Sequence, residues 1–254
     1  GAFSPATQKA WMLLLEGPYR QGTNGTEKSS IVAARPALDV KKSGPNAGLE
    51  IPYDPALIIR AQSLLLEDAD KLSASRPYRF DLVDVQRQMM TNLGQLIHRK
   101  AAEAFRSKDR EAFTLHSERF LGMLADMDTL LRTRSEYSFD RWLTEARSWG
   151  ETEEEKNQME RDATSLVTIW GADGDPRIFD YSWRGWAGLI NGYYLPRWQK
   201  FYTMLQQHLD EGTSYEEAGL PQIYGREAFR ANDFYHALAE WELSYVDTYG
   251  KARI

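Results

Sequence analysis

The sequence predicts an all-α fold: a bundle of about eight or nine mostly antiparallel helices with one long loop near the N-terminus. Three observations carry this. Beyond residue 54 the apolar residues return in steps of three and four almost without interruption. Helix-starting residues stand where each run begins. The connections between runs are short, which favours antiparallel neighbours, and no convincing strand pair is visible. Nor does a repeat of 34 or 40 residues point to a solenoid.

Ser4-Pro5 starts the first helix, Ser as N-cap and Pro at the first helical position, and Gly17-Pro18 ends it. Residues 17–53 are rich in Gly, Pro, Ser, Thr and Asn, a loop of unusual length for a compact domain. Within it Asn24-Gly25-Thr26 has the form of a glycosylation sequon, though a tight turn explains it equally well. Gly22, Gly25 and Lys28 lack the spacing of a phosphate loop. Ile31–Ala34 reads as a short extended piece, because Pro36 biases Arg35 away from helix.

Asp54-Pro55 caps a helix running over ALIIRAQSLLLEDADKL, and Ser75-Arg76-Pro77 breaks it. Asp81 opens a long helix and Asp109 the next. A shorter one carries Phe139, Trp142, Leu143 and Ala146. Thr152 and Glu155 form a capping box, and the acids around them suit the positive end of a helix dipole better than a calcium or catalytic site. That helix is expected to run to Trp170. Ser214 and Glu217 suggest another capping box before Gly219 and Pro221, and a last helix spans about Arg226 to Tyr249.

The richest stretch is Trp170 to Trp198, WGADGDPRIFDYSWRGWAGLINGYYLPRW. From Tyr181 to about His208 its bulky residues fit one face of a long helix, with Asp180 as N-cap or as a hydrogen-bonding group at the mouth of a pocket. Gly185, Gly188 and Gly192 suggest a close neighbour, and Pro196 should kink the helix. Two readings stand: a buried helix in an aromatic core, or a loop between Trp170 and Tyr181 that lines a ligand pocket. Aromatic stripes at helical spacing are usually core. Asp173-Gly174-Asp175 is better read as a turn before Pro176 than as part of a calcium loop.

With 254 residues and 12% aromatics the chain can bury a substantial core. A well-mixed net charge of −6 shows no basic stripe, so nucleic acid is not expected as a partner. There is no apolar run long enough for a membrane span and no signal peptide. The abrupt opening GAFSPATQKAW reads as a fragment whose own N-terminal part, with any targeting signal, is missing, the first Gly being a cloning remnant. The absence of cysteine excludes disulfides, thiolate metal sites and a Cys nucleophile. His98, His116, His208 and His236 lack helical zinc spacing and read as surface or helix-flank residues. No cofactor is called for, and spacing alone yields no catalytic constellation.

TIWG, a Gly-containing loop and then DYSWRGWAGLINGYYLPRW resemble the C-terminal region of the α-N-acetylglucosaminidases, glycoside hydrolase family 89. KAWMLLLEGPY followed by ARPAL, PYRFDLVDVQRQMMTNLGQLI and FDRWLTEARSWG resemble further family segments, in order and over nearly the whole chain. The resemblance implies an all-α C-terminal domain, residues 1–254, that follows a small N-terminal domain and a (β/α)8 barrel. It implies removal of terminal α-linked N-acetylglucosamine from glycans, in lysosomes for an animal-like enzyme and in the periplasm or outside the cell for a bacterial one. The implied chemistry is retaining, with two glutamates about 5–5.5 Å apart. Both would lie in the upstream barrel, so this chain alone would be inert. Carried over by motif, Trp170, Tyr181 and Ile178 would line one side of the sugar pocket, and the loop over 21–35 would also reach the cleft. The loop GADGDPRIF is about two residues longer than in the human-like pattern. The other reading is a free-standing helical module that binds a carbohydrate or a protein without catalysis.

Overall fold

A computed structural model describes residues 4–20, 30–43, 47–170, 179–215 and 233–249. It is an all-α bundle. The helices are α1 (Pro5–Glu16), α2 (Ala56–Leu66), α3 (Ala69–Leu72), α4 (Arg76–Arg106), α5 (Arg110–Leu131), α6 (Phe139–Arg147), α7 (Glu153–Leu166), α8 (Leu195–Glu211) and α9 (Asp233–Tyr249). A minimal antiparallel pair, β1 (Lys42–Ser43) with β2 (Ala47–Gly48), folds part of the long loop back on itself, in register Lys42 to Gly48.

Local chemistry sets most helix starts. Ser4 Oγ accepts from the Thr7 amide, Asp109 Oδ1 from Ala112 and Ser138 Oγ from Arg141. At Thr152 the reciprocal capping box is complete: its Oγ1 accepts from the Glu155 amide at 3.2 Å, and Glu155 Oε2 accepts from the Thr152 amide at 3.0 Å. Gly212 ends α8 in the left-handed region at φ 69°.

The hairpin of α4 and α5 is the spine of the molecule. α1 and α2 pack on one end of α4, around Leu14, Ile58, Leu65 and Tyr78. α8 lies along α5, α9 along α7 and α8, and α6 against α7. At the centre the fully buried Trp198 meets the ring of Phe120 at 4.7 Å and that of His98 at 4.8 Å, and its Nε1 donates to the carbonyl of Val32. Closely packed rings of this kind contribute about 0.5–1.5 kcal/mol per pair beyond their burial.

Several expectations need correction. The helix expected from Ala56 to Leu72 breaks between Leu66 and Ala69, where buried Asp68 accepts from the hydroxyls of Ser4 and Thr7. α4 begins at Arg76, not Asp81, because Pro77 sits in its first turn, where proline starts a helix rather than breaking one. Ile31–Ala33 is a 3-10 turn capped by Ser30, not an extended piece. α7 ends at Leu166, short of Trp170. His98 is buried, its Nδ1 2.9 Å from Tyr202 Oη. Burial pushes its pKa down to about 4.

The largest correction concerns the aromatic helix. Residues 181–188 are not helical: Gly188 has φ 88°, and Ala187 bridges Ser138, donating to the carbonyl of Tyr137 and accepting from the amide of Phe139. Helix begins with a π turn, Ile190–Tyr194, in which the Leu195 amide bonds the Ile190 carbonyl. Pro196 follows in the first turn of α8, so the irregularity expected there takes the form of a widened turn. Gly192 alone of the three glycines lies within helix. A Cβ on it would come within 3.1 Å of Tyr245 Oη.

Asn24, Ile178, the expected turn over Asp173–Asp175 and Glu217 lie outside the described residues, as do positions 226–232, where the last helix is expected to begin.

Candidate functional site

The chain narrows to a neck on either side of residues 171–178. The Asp180 amide donates to the carbonyl of Thr168 at 2.9 Å, and the Trp170 amide to that of Ser165 at 2.6 Å. Thr168 is itself held from below, its hydroxyl donating to the Thr164 carbonyl at 2.7 Å. Ile169 and Phe179 point inward and are buried with Val246 of α9. Thr168 and Asp180 beside them are buried as well, whereas Tyr181 is exposed.

Trp170 and Tyr181 flank this neck and meet across it. Their ring centroids are 4.9 Å apart and their planes 57° inclined. Trp170 is half-buried, while Tyr181 stays 43% exposed. Trp170 has φ 57° and Asp180 φ 61°, conformations that cost residues bearing a Cβ roughly 1–2 kcal/mol each. Two neighbouring outliers of this kind need strong surroundings to hold them.

Those surroundings are a buried cluster of charges directly beneath. Arg197 Nη1 donates to Asp180 Oδ1 at 2.9 Å and Oδ2 at 3.0 Å, and to Glu242 Oε1 at 3.1 Å. Its Nη2 donates to the Ala33 carbonyl at 2.7 Å. Arg35 pairs with the other oxygen of Glu242 and lies over the Phe179 ring at 5.7 Å. The faces of Tyr193 and Tyr194 flank the Arg197 guanidinium at 5.0 and 5.5 Å. All four charged groups are buried, and two cations balance two carboxylates. Burial raises the pKa of Asp180 to about 6, with Arg197 pulling the other way. Its carboxylate is therefore ionised and paired at neutral pH.

Asp180 is thus neither an N-cap nor a group at a pocket mouth: it is the buried anchor of the neck. The structure brings Trp170 and Tyr181 together as a half-open aromatic pair. Ile178 lies outside the described residues. Spacing did not single out Arg35, Arg197 or Glu242. The signal was there, since Arg197 interrupts the stripe of Tyr193, Tyr194, Trp198 and Phe201, and Glu242 interrupts that of Leu238 and Val246. A charge inside an apolar stripe must be paired to be buried. Chemically, an indole and a phenol side by side offer flat apolar area and one hydrogen-bonding hydroxyl, a surface suited to the C–H face of a sugar. Among the described residues no group of three or more His, Asp or Glu could hold a metal ion, and no helix is long and apolar enough to cross a membrane.

A family model described as the alpha-N-acetylglucosaminidase (NAGLU) C-terminal domain matches residues 1–251. The chain belongs to this family. It is 31% identical over 222 residues to human alpha-N-acetylglucosaminidase, a match covering 85% of this chain and 28% of the human protein. Its fold is similar to that of a family 89 glycoside hydrolase from Clostridium perfringens solved with 2-acetamido-1,2-dideoxynojirmycin, at a TM-score of 0.83 and 26% identity, covering 98% of this chain and 27% of that one. The same figures hold for the Clostridium perfringens protein in complex with its substrate GlcNAc-alpha-1,4-galactose. This member of the NAGLU C-terminal domain family therefore spans just over a quarter of the length of the relatives it matches.

Proposed function

We propose that this chain is the C-terminal helical domain of a retaining, exo-acting α-N-acetylglucosaminidase, and that it packs on an upstream catalytic barrel and closes one side of the sugar pocket. Trp170 and Tyr181 form the wall, with Ile178 as its apolar continuation. The observation that carries this reading is the aromatic pair itself, half-exposed on a strained and anchored neck, in a chain whose relatives are alpha-N-acetylglucosaminidases. The indole packs against the C–H face of the sugar or its N-acetyl methyl, and the phenol adds one hydrogen bond. Both catalytic glutamates lie in the barrel, so the domain alone is inert. The enzyme works in the periplasm or outside the cell if bacterial, and in the lysosome if animal-like.

The test uses the full-length gene product, wild type beside Trp170→Ala, on a chromogenic α-N-acetylglucosaminide. Wild type cleaves it, and the variant loses roughly 10–100-fold in kcat/KM, about 1.4–2.7 kcal/mol of transition-state binding. A folded variant with unchanged kinetics reduces the domain to scaffold. A wild type that cleaves no such substrate overturns the enzymatic reading in favour of a binding module.

A further inference from the structure

Tyr181 follows directly on Asp180, so the direction of its side chain depends on the backbone angles of a residue held in the left-handed region. That conformation is one an aspartate tolerates better than most residues with a Cβ, yet still at a cost. It persists because both carboxylate oxygens of Asp180 are held by one nitrogen of Arg197, at 2.9 and 3.0 Å. Arg197 is fixed in turn from two other parts of the chain, by the carbonyl of Ala33 and by Glu242 of α9. On the far side of the neck Trp170 is strained in the same sense and is tied to Asp180 through the Thr168–Asp180 backbone bond. One buried guanidinium therefore controls the angles on which the spacing of both rings depends.

We infer that Asp180 and Arg197 are positioning residues, which lock the neck so that Trp170 and Tyr181 present a fixed wall to the sugar. The inference rests on the pocket reading proposed above. Neither residue touches substrate; each acts through Tyr181 and Trp170. A misaimed wall weakens contacts that ground state and transition state share, so the damage falls on KM and leaves kcat nearly unchanged. A purely structural ion pair would instead lower stability and active fraction, reducing kcat with KM intact.

The experiment is a double-mutant cycle in the full-length gene product, on a chromogenic α-N-acetylglucosaminide, with melting temperature recorded for each protein. The variants are Asp180→Asn, Tyr181→Ala and the two combined. Asp180→Asn keeps the side-chain shape and removes the charge. It is expected to raise KM about 10-fold, with kcat within about twofold of wild type. In the Tyr181→Ala background the same change raises KM by clearly less than in wild type, because half of the wall it aims is gone. Arg197→Lys keeps the charge and loses the fork that reaches Asp180, Glu242 and Ala33 together. It is expected to show the same KM signature, and it replaces Asp180→Asn in the cycle if that variant does not fold. Effects that add fully across the cycle, or that fall on kcat alone, overturn the positioning role. So does failure of both variants to fold, which would make the cluster a folding element only. If Tyr181→Ala itself leaves the kinetics of an active enzyme unchanged, the pocket reading has failed first.

Discussion

Asp128, in the last turn of α5, caps a helix that begins sixty residues later: its Oδ1 accepts from the backbone amide of Gly188 at 2.6 Å and of Asn191 at 3.2 Å. Its other oxygen holds Arg132 at 2.7 Å. A carboxylate borrowed from another helix thus satisfies orphan amides and meets the positive end of the dipole at the start of the aromatic helix. Together with the Asp180–Arg197 pair it fixes both ends of the segment from Phe179 to Asn191, on which Tyr181 stands.

Removing that cap has a definite cost. Asp128→Ala leaves two amides and a guanidinium without their acceptor and is expected to destabilise the chain by about 2–3 kcal/mol. Asp128→Asn keeps one acceptor oxygen and should cost about 1 kcal/mol. Urea midpoints at constant m-value measure both; equal losses for the two variants would show that acceptor geometry is not what matters.

Gly192 of the π turn faces Tyr245 of α9 at close range. A methyl group there would sit 3.1 Å from Tyr245 Oη. Gly192→Ala is expected to cost about 1 kcal/mol in the wild-type background, the steric push outweighing the gain in helix propensity. In a Tyr245→Phe background the hydroxyl is absent, and the same change becomes stabilising by up to about 1 kcal/mol. Chemical denaturation of the four proteins gives the coupling; a value near zero would rule out the close approach.

Gly150 presents a harder obstacle. A Cβ there would lie 2.5 Å from the backbone nitrogen of Lys156, within the turn that carries the Thr152–Glu155 capping box. Backbone cannot swing aside as a side chain can, so Gly150→Ala should cost about 3 kcal/mol and break that box. A melting temperature unchanged from wild type would contradict the crowding.

His98 sets an acid limit on the fold. Burial holds its folded pKa at about 4, against the smaller opposing effects of the Ala37 and Leu38 backbone and of Asp39. The unfolded chain binds a proton near its ordinary value of 6.5. Between these values the unfolded state holds more protons, so stability rises with pH. The His98 contribution is complete above 6.5 and is lost as pH falls through 4, about 3 kcal/mol in all. His98→Gln cannot titrate there, and its stability should follow a shallower curve over that window. Parallel curves for the two proteins would exclude His98 as the source.

The parts of this fold that the sequence announces are those whose chemistry is local. Asp109 and Thr152 cap helices within their own next turn, so three residues of context suffice. What the sequence does not announce depends on distant partners. Trp183, Trp186 and Leu189 have helical spacing, yet the amide of Ala187 is taken by Tyr137 and Gly188 is left-handed, so the run is not helical before Leu189. Asp180 stood where an N-cap is expected, but Asp128 performs that task and Asp180 turns inward to Arg197. His98 reads as an ordinary polar residue on α4 until Tyr202 and Trp198 close over it. The Trp170–Tyr181 pair was legible only because its motif is specific.

Glu242 joins Arg35 across 207 positions of sequence, and the same carboxylate steadies Arg197. Until α9 has docked, both guanidiniums lack that balancing charge, and the neck above them lacks part of its anchor. During synthesis the bundle therefore cannot be completed as a series of finished pieces. Arg35 waits on a partner more than two hundred positions later, and a chain that stops short of Glu242 lacks the carboxylate that joins Arg35 to Arg197 beneath the Trp170–Tyr181 pair.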